Sequence, residues 1–128
     1  MSDAALEIVF DHFHARRRRD IAAVTAGLDP DVVHQGVLPS LVCNGRDAVV
    51  ERIASSFDDH DDRGIERLEF LAAGEHVIVS IAGTRFREIP FLDGEIFMLF
   101  TIRDGRIARI DDFATRGDAL LAAQTPTG

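Results

Sequence analysis

Residues 94–114, GEIFMLFTIRDGRIARIDDFA, decide the fold, because they contain two apolar runs separated by the dipeptide Asp104-Gly105. Each run has the length of a β-strand. Asp-Gly is a sequence that a tight two-residue hairpin turn prefers, since both central positions of that turn take a positive φ. The segment therefore predicts two antiparallel strands, at residues 94–103 and 106–114.

Two more extended runs precede this hairpin, at residues 65–73 and 76–87, and Gly74-Glu75 separates them. A loop at residues 90–93 then leads into the hairpin. Three short links between four consecutive strands predict an antiparallel meander.

The sequence of the first half of the chain has the apolar spacing and capping residues of helices. Apolar residues recur at helical spacing within residues 3–19, and Asp20 is a good N-cap for a shorter second helix. Residues 29–31, Asp-Pro-Asp, end that helix, and the β-branched run at residues 32–35 predicts a strand. Asn44 is the predicted cap of a third helix.

Helices followed by strands indicate an α+β fold, in which three N-terminal helices pack on one face of a curved antiparallel sheet. The 128 residues predict one domain, with its core at residues 3–123, a last helical turn within residues 117–123 and a flexible tail at residues 124–128. Several strands are apolar on both faces. Because the helices cover only one face, we expect a homodimer through the outer face of the sheet.

The composition excludes several classes of function. The net charge of −8 opposes a nucleic-acid-binding surface, and no apolar run has the length of a membrane helix. All 14 basic residues are Arg, so a lysine Schiff base and a lysine-bearing phosphate loop are impossible. Cys43 is the only cysteine, which rules out an intrachain disulfide. With no signal peptide at the start, we expect a cytoplasmic protein without nucleic-acid or membrane partners.

The order of the elements and several short motifs resemble the nuclear transport factor 2-like superfamily. The motifs are Asp20 before the second helix, DPDVV at residues 29–33, NGRDAV at residues 44–49 and DGRI at residues 104–107. Within this superfamily the chain looks most like the SnoaL-like group of polyketide cyclases and the ketosteroid isomerases. The resemblance covers residues 3–123. It implies a cone-shaped, cystatin-like α+β barrel with a pocket between sheet and helices, and commonly a dimer through the outer sheet face.

A comparison with the ketosteroid isomerases, residue by residue, does not favour that activity. The tyrosine donor of those enzymes corresponds to His12, their aspartate base to Gly36 or Gln35, and their protonated aspartate to Met98. None of the three is kept. The SnoaL-like cyclases resemble the chain better, because they have an acid–base aspartate on the last strand, and this likeness assigns that role to Asp112.

His34 and Asp112 are the candidate catalytic pair. Side chains along a strand alternate between the two faces of the sheet, so His34 and Asp112 each lie on one face of their strand. The resemblance implies that both of these side chains point into the cone. A carboxylate beside an imidazole favours the imidazolium, raises the pKa of His34 toward neutrality or above, and selects one tautomer. Such a pair could move a proton on and off an enolisable carbonyl compound. Alternatively, His34 is hydrogen-bonded in the wall and Asp112 pairs with an arginine.

The strand register decides which side chains enter the pocket. Asp111 and Asp112 alternate, so only one of them faces inward, and the other is expected beside Arg109 on the outside. A shift by one residue would instead place Arg109 and Asp111 in the pocket, which resembles the Asp–Arg site of epoxide hydrolases in this superfamily.

The rest of the predicted pocket is mostly apolar, which suits a hydrophobic small molecule. His12 could donate a hydrogen bond to that ligand, or simply lie where the first helix meets the sheet. The same apolar side chains could also fill the space and leave no cavity. The predicted lining residues are His12, Phe13, Phe57, Ile96, Met98, Phe100 and Ile110.

The sequence thus predicts a small-molecule pocket protein, acting as a cofactor-independent acid–base enzyme (an isomerase, cyclase, dehydratase or hydrolase) on a hydrophobic substrate. The alternative is a non-catalytic ligand-binding or dimeric interaction domain of the same fold. We expect no metal, because the acidic residues 58–62 lack the spacing of a calcium loop and fit a solvated helix end. The arginines at residues 16–19 fit a solvated helix end as well.

Overall fold

A computed structural model of the chain describes residues 3–59, 65–87, 89 and 92–124. Helices and one six-stranded sheet make up these residues, so the predicted α+β class is confirmed. In chain order the elements are α1 (Asp3–Arg17), α2 (Ile21–Ala26), β1 (Leu28–Gln35), β2 (Val42–Asn44), α3 (Arg46–Asp59), β3 (Ile65–Ala73), β4 (His76–Gly83), α4 (Thr84–Arg87), β5 (Glu95–Arg103), β6 (Arg106–Phe113) and α5 (Arg116–Gln124).

The curved sheet has the strand order β2-β1-β6-β5-β4-β3, and its last four strands form the predicted antiparallel meander. The tight turn between β5 and β6 has a positive φ at both Asp104 and Gly105, 53° and 77°, as the Asp-Gly pair requires. β1 differs from the prediction, because it pairs with β6 in parallel and makes the sheet mixed. A parallel pair needs a long crossover, which α3 and the meander supply.

The first strand begins earlier than predicted, at Leu28 rather than at residue 32. Leu28 pairs with Ile107, and the register shifts between Leu28 and Val33, so the residues around Pro30 need not donate to the ladder. Thus the Asp-Pro-Asp run lies inside the irregular part of a strand. Strand β2 was not predicted, and its last residue, Asn44, had been predicted as a helix cap.

The strand ends and the last helix also differ in detail. β4 ends at Gly83, and residues 84–87, which had been predicted as a continuation of that strand, form the short helix α4. The predicted last helical turn is the nine-residue helix α5. No helix in the described ranges is both long enough and apolar enough to cross a membrane.

Both faces of the sheet are covered, by different helices. The inner face, which carries Val79, Phe100 and Ile110, packs against apolar residues of α1, α2 and α3. The outer face carries Phe97 and Leu99, which pack against Ala119 of α5. The chain therefore covers by itself part of the face for which a partner subunit had been predicted.

Candidate acid–base site

The structure brings His34 and Asp112 together. Nε2 of His34 lies 3.0 Å from both carboxylate oxygens of Asp112, and the two side chains are 8% and 7% exposed. The parallel register places His34 opposite Ile110, so Asp112 is the next residue of β6 on the inner face. Residues 78 positions apart in the chain thus form a buried pair.

The contact with Asp112 selects the tautomer of His34. An ionised carboxylate only accepts hydrogen bonds, so Nε2 carries the hydrogen of this contact. In the neutral ring, Nδ1 then holds a lone pair. Nδ1 is buried and has no hydrogen-bond partner within the described part of the chain. A buried polar atom without a partner costs about 1–3 kcal/mol, and a catalytic role is one explanation for such an atom.

His12, on α1, is a second buried histidine on the inner side of the sheet. It is 4% exposed, and neither ring nitrogen has a hydrogen-bond partner among the described residues. Its ring lies edge-on to the rings of Phe13 and Phe100, with centroid distances of 5.3 and 5.5 Å. Burial, and then the charges of Arg16 and His34, hold the pKa of His12 well below its usual value. His12 is therefore neutral near pH 7 and offers one donor and one acceptor.

The register question is settled in favour of Asp112 facing inward. Asp111 points to the outer face, where both of its carboxylate oxygens accept from Nε of Arg109 at 3.0 Å. The side chains of Arg109 and Asp111 are 44% and 18% exposed. The one-residue shift that would bring them into the interior does not occur.

Most of the predicted lining residues pack in the core. Met98, Phe100 and Ile110 are buried, while Phe13 and Ile96 are partly buried against the same cluster. The side chain of Phe57 lies outside the described part of the structure.

A cavity of about 340 Å³ lies between α1, α2 and the β5–β6 turn. His12 lines it, whereas His34 and Asp112 do not. His12 is the residue of the lining that interacts electrostatically with the buried pair, because His34 contributes to the lowered pKa of His12. The full lining is Ile8, Asp11, His12, His14, Arg18, Ala23, Val24, Ala26, Gly27 and Gly105.

A second cavity, of about 290 Å³, lies at the start of α3 and has a polar lining that includes Asn44, Arg46 and Asp47. It contains none of the predicted site residues. Among the described side chains, no three metal-ligating groups come close enough to hold an ion. The acidic residues 58–62, which could have suggested such a site, lie outside the described side chains.

Cys43 is a neighbour of His34 that was not predicted from the sequence. It lies on β2, and its Cα is in register with that of His34. Directly opposed residues of antiparallel strands project to the same side of a sheet, so the partly buried thiol and the imidazole are neighbours. A three-residue strand carries too little periodicity to be recognised from sequence, and Val42, a β-branched residue, was the only local signal.

Comparisons with known proteins agree with this architecture. A family model described as a SnoaL-like domain matches residues 9–110. No curated protein matches the chain.

Three solved structures have similar folds. A candidate polyketide cyclase from Sinorhizobium meliloti is 24% identical, with a TM-score of 0.62, and the match covers 83% of this chain and 93% of that one. A candidate ketosteroid isomerase from Kribbella flavida is 20% identical, with a TM-score of 0.63 and coverages of 99% and 85%. A nuclear transport factor 2-like protein from Burkholderia xenovorans is 16% identical, with a TM-score of 0.63 and coverages of 97% and 98%.

Proposed function

The chain belongs to the SnoaL-like family, and we propose that it binds a hydrophobic small molecule and moves a proton on it with His34 and Asp112. One observation carries the proposal: the two side chains are buried and 3.0 Å apart, while Nδ1 of His34 has no partner in the described structure. A base whose lone pair is desolvated and unpaired is arranged to accept a proton from a ligand.

In the proposed reaction, Nδ1 of His34 removes a proton from the carbon beside a carbonyl group. The electron pair of that C–H bond moves into the carbonyl to give an enolate, and His34 becomes an imidazolium. The carboxylate of Asp112 stabilises this cation through the Nε2 contact. The imidazolium then returns the proton to the same or another carbon. The steps balance with no redox cofactor, and an aldol-type ring closure or a dehydration would begin from the same enolate.

His12 serves the proposed reaction as a neutral hydrogen-bond donor. Because its pKa is lowered by burial, it keeps one N–H and carries no charge at neutral pH. Donation of this N–H to the substrate oxygen would stabilise the negative charge that develops there.

Substrate access is proposed to run through the cavity that His12 lines. His12 is the buried residue of that cavity that interacts electrostatically with His34, and a rotation of its ring would break no hydrogen bond made by the described residues. In this proposal the ring moves within its contacts with Phe13 and Phe100 to let a carbonyl group approach His34.

A second candidate function is ligand binding without catalysis. The observation that favours it is that the cavity is lined by His12 and not by His34 or Asp112. In that case the ligand contacts His12 but neither His34 nor Asp112, and the buried pair is structural.

The exchange of carbon-bound protons with solvent separates these two functions without knowledge of the natural substrate. Acetophenone in deuterated water would be followed by proton NMR, and we expect the protein to accelerate the loss of its methyl signal. Asp112→Asn and His34→Gln should slow this exchange by about 10²–10⁴-fold. Asp111→Asn is the matched control, because it removes a neighbouring carboxylate that faces outward. Equal exchange rates for the wild type and Asp112→Asn would overturn the catalytic proposal.

We also propose that the chain forms a homodimer through the outer sheet face. α5 covers Phe97 and Leu99 on that face, while Leu71 of β3 remains 44% exposed. Sedimentation equilibrium would measure the mass, and Leu71→Glu should shift a dimer toward the monomer. A wild-type chain that sediments as a monomer would contradict this expectation.

A further inference from the structure

The cavity between α1, α2 and the β5–β6 turn combines an apolar floor, a buried histidine and a cationic rim. We infer that it binds a small hydrophobic carboxylic acid, whose carboxylate lies against Arg18 and whose other end makes a hydrogen bond with His12. This names a substrate class for the proposed function and rests on that function for its catalytic meaning. The binding itself depends only on the cavity.

The floor of the cavity accepts an apolar body. Ile8 of α1 and Ala23 and Val24 of α2 line it, and Val24 is 1% exposed. Burial of apolar ligand surface against such side chains is favourable in proportion to the area removed from water. The cavity volume of about 340 Å³ is near the lower end of the range for ligand pockets, about 300–1,000 Å³. A compact body, such as a single aromatic ring, fits these dimensions.

His12 provides the polar contact at the inner end. Both of its nitrogens are buried without partners among the described residues, so a ligand carbonyl or hydroxyl group would satisfy one of them. The ring is neutral because burial lowers its pKa. A neutral imidazole in apolar surroundings cannot offset the desolvation of a carboxylate, so the charged end of the ligand belongs elsewhere.

Arg18 provides a place for that charge at the rim. Its side chain is 54% exposed, and its contact with Asp20 is long, at 3.8 Å. A guanidinium can donate two parallel hydrogen bonds to a carboxylate. The long contact with Asp20 leaves donors of Arg18 available for a ligand carboxylate. Arg18 also belongs to a run of four arginines at residues 16–19, in a chain with a net charge of −8.

The other charged residues of the lining agree with this orientation. Asp11 also lines the cavity, but it precedes Arg18 by seven residues, which is roughly 10 Å along a helix. Repulsion from Asp11 therefore acts at the end away from Arg18. His14 lies one helical turn before Arg18 and adds a second donor on the same side of the rim.

Two probes of similar shape, one charged and one neutral, test the inference. The first is 4-acetylbenzoate, which has a carboxylate, one ring and an acetyl carbonyl, and the second is 4-acetylbenzamide. Isothermal titration near neutral pH and at low salt should show at least tenfold tighter binding of the acid. Added salt should weaken binding of the acid more than binding of the amide, because Arg18 is solvated.

Substitutions of single residues test which side chains contact the two probes. Arg18→Gln should bring the two affinities to within about twofold, because a lost ion pair affects only the acid. Arg17→Gln is the matched control, since it removes the same charge from the adjacent residue, which does not line the cavity. His12→Phe should weaken both probes by a similar factor, and His12→Gln, which keeps a donor and an acceptor, should restore part of the loss. Thermal unfolding would verify that each variant is folded.

The outcomes separate this inference from the proposed function. Equal affinities of the wild type for the two probes, or an unchanged preference in Arg18→Gln, would overturn the ligand class even if acetophenone exchange depends on Asp112. If the acid binds as expected but Asp112→Asn exchanges its methyl protons at the wild-type rate, the ligand class stands and the catalytic proposal fails.

Discussion

Two neighbouring aspartates on β6 form side-chain contacts of the same length in opposite environments. Asp112 meets His34 at 3.0 Å on the inner face, with both side chains less than one-tenth exposed. Asp111 meets Arg109 at 3.0 Å on the outer face, where the arginine is 44% exposed. The cost of breaking the two contacts differs although their distances are equal, because a desolvated charge is costly to leave unpaired whereas a solvated charge is screened.

The buried histidines on the two sides of the sheet differ in their hydrogen-bond partners. On the outer face, Nδ1 of His76 contacts the hydroxyl group of Thr101 at 3.2 Å. On the inner face, His12 and His34 hold three ring nitrogens without partners in the described structure. The buried histidine of the outer face therefore has a partner within the protein. The inner face carries more polarity than the described residues satisfy, as a site for a ligand does.

The largest expected effect on stability comes from breaking the inner pair. His34→Ala leaves the Asp112 carboxylate buried without its partner, and it should lower the free energy of unfolding by about 3–5 kcal/mol. Arg109→Ala breaks the outer pair and should cost only about 0–1 kcal/mol. Urea unfolding of both variants measures the contrast. Similar losses in the two variants would contradict it.

Replacing both side chains of the inner pair should not lower the free energy of unfolding. The double variant His34→Met with Asp112→Leu replaces two desolvated polar groups by apolar ones of similar volume. We expect a free energy of unfolding between that of the wild type and about 4 kcal/mol above it, with no acetophenone exchange. A double variant as unstable as His34→Ala would show that the pair is needed for folding rather than for chemistry.

On the outer face, Thr101→Val removes the hydroxyl partner of His76 and nearly preserves the shape of the side chain. The unpaired Nδ1 should cost about 1–3 kcal/mol in urea unfolding. This change would create on the outer face the unpaired state that His12 and His34 already have on the inner face. An unchanged stability would indicate that unpaired histidine nitrogens are tolerated on either face.

The smallest effect concerns pH and His12. Because its pKa in the folded protein is lowered, the unfolded chain binds a proton as the pH falls below about 6.5 while the folded protein does not. Stability should therefore decrease with falling pH in this window, with a contribution from His12 of up to about 1.4 kcal/mol per pH unit. Urea unfolding of His12→Gln should lack this contribution, whereas His14→Gln, on the exposed side of α1, should retain it.

Much of the fold followed from local signals. The turn at Asp104 and Gly105 was predicted because its backbone conformation depends on those two residues. The β1–β6 pairing was not predicted as parallel, because nothing near residues 28–35 encodes the direction of a neighbour on β6. The early start of β1 was missed for a related reason: pairing of Leu28 with Ile107 overrides the local preference of the Asp-Pro-Asp run.

The candidate site was predicted in part. Alternation limited the inward carboxylate to Asp111 or Asp112, and the resemblance to a family favoured the second. His12 was predicted to line the pocket, but no sequence pattern indicated that the cavity would exclude His34 and Asp112, or that Cys43 would lie in register with His34. These facts depend on how α1, α2 and β2 pack against residues far away in the chain.

By itself the sequence determined the order of helices and strands, the hairpin turn at Asp104 and Gly105, and the short list of polar residues that could do chemistry. These depend on backbone preferences and side-chain periodicity, which act over a few residues. The tertiary structure alone decided that His34 meets Asp112 and that a cavity reaches His12. The reason is physical: register and empty volume arise from packing between residues up to 78 positions apart, to which local preferences contribute nothing.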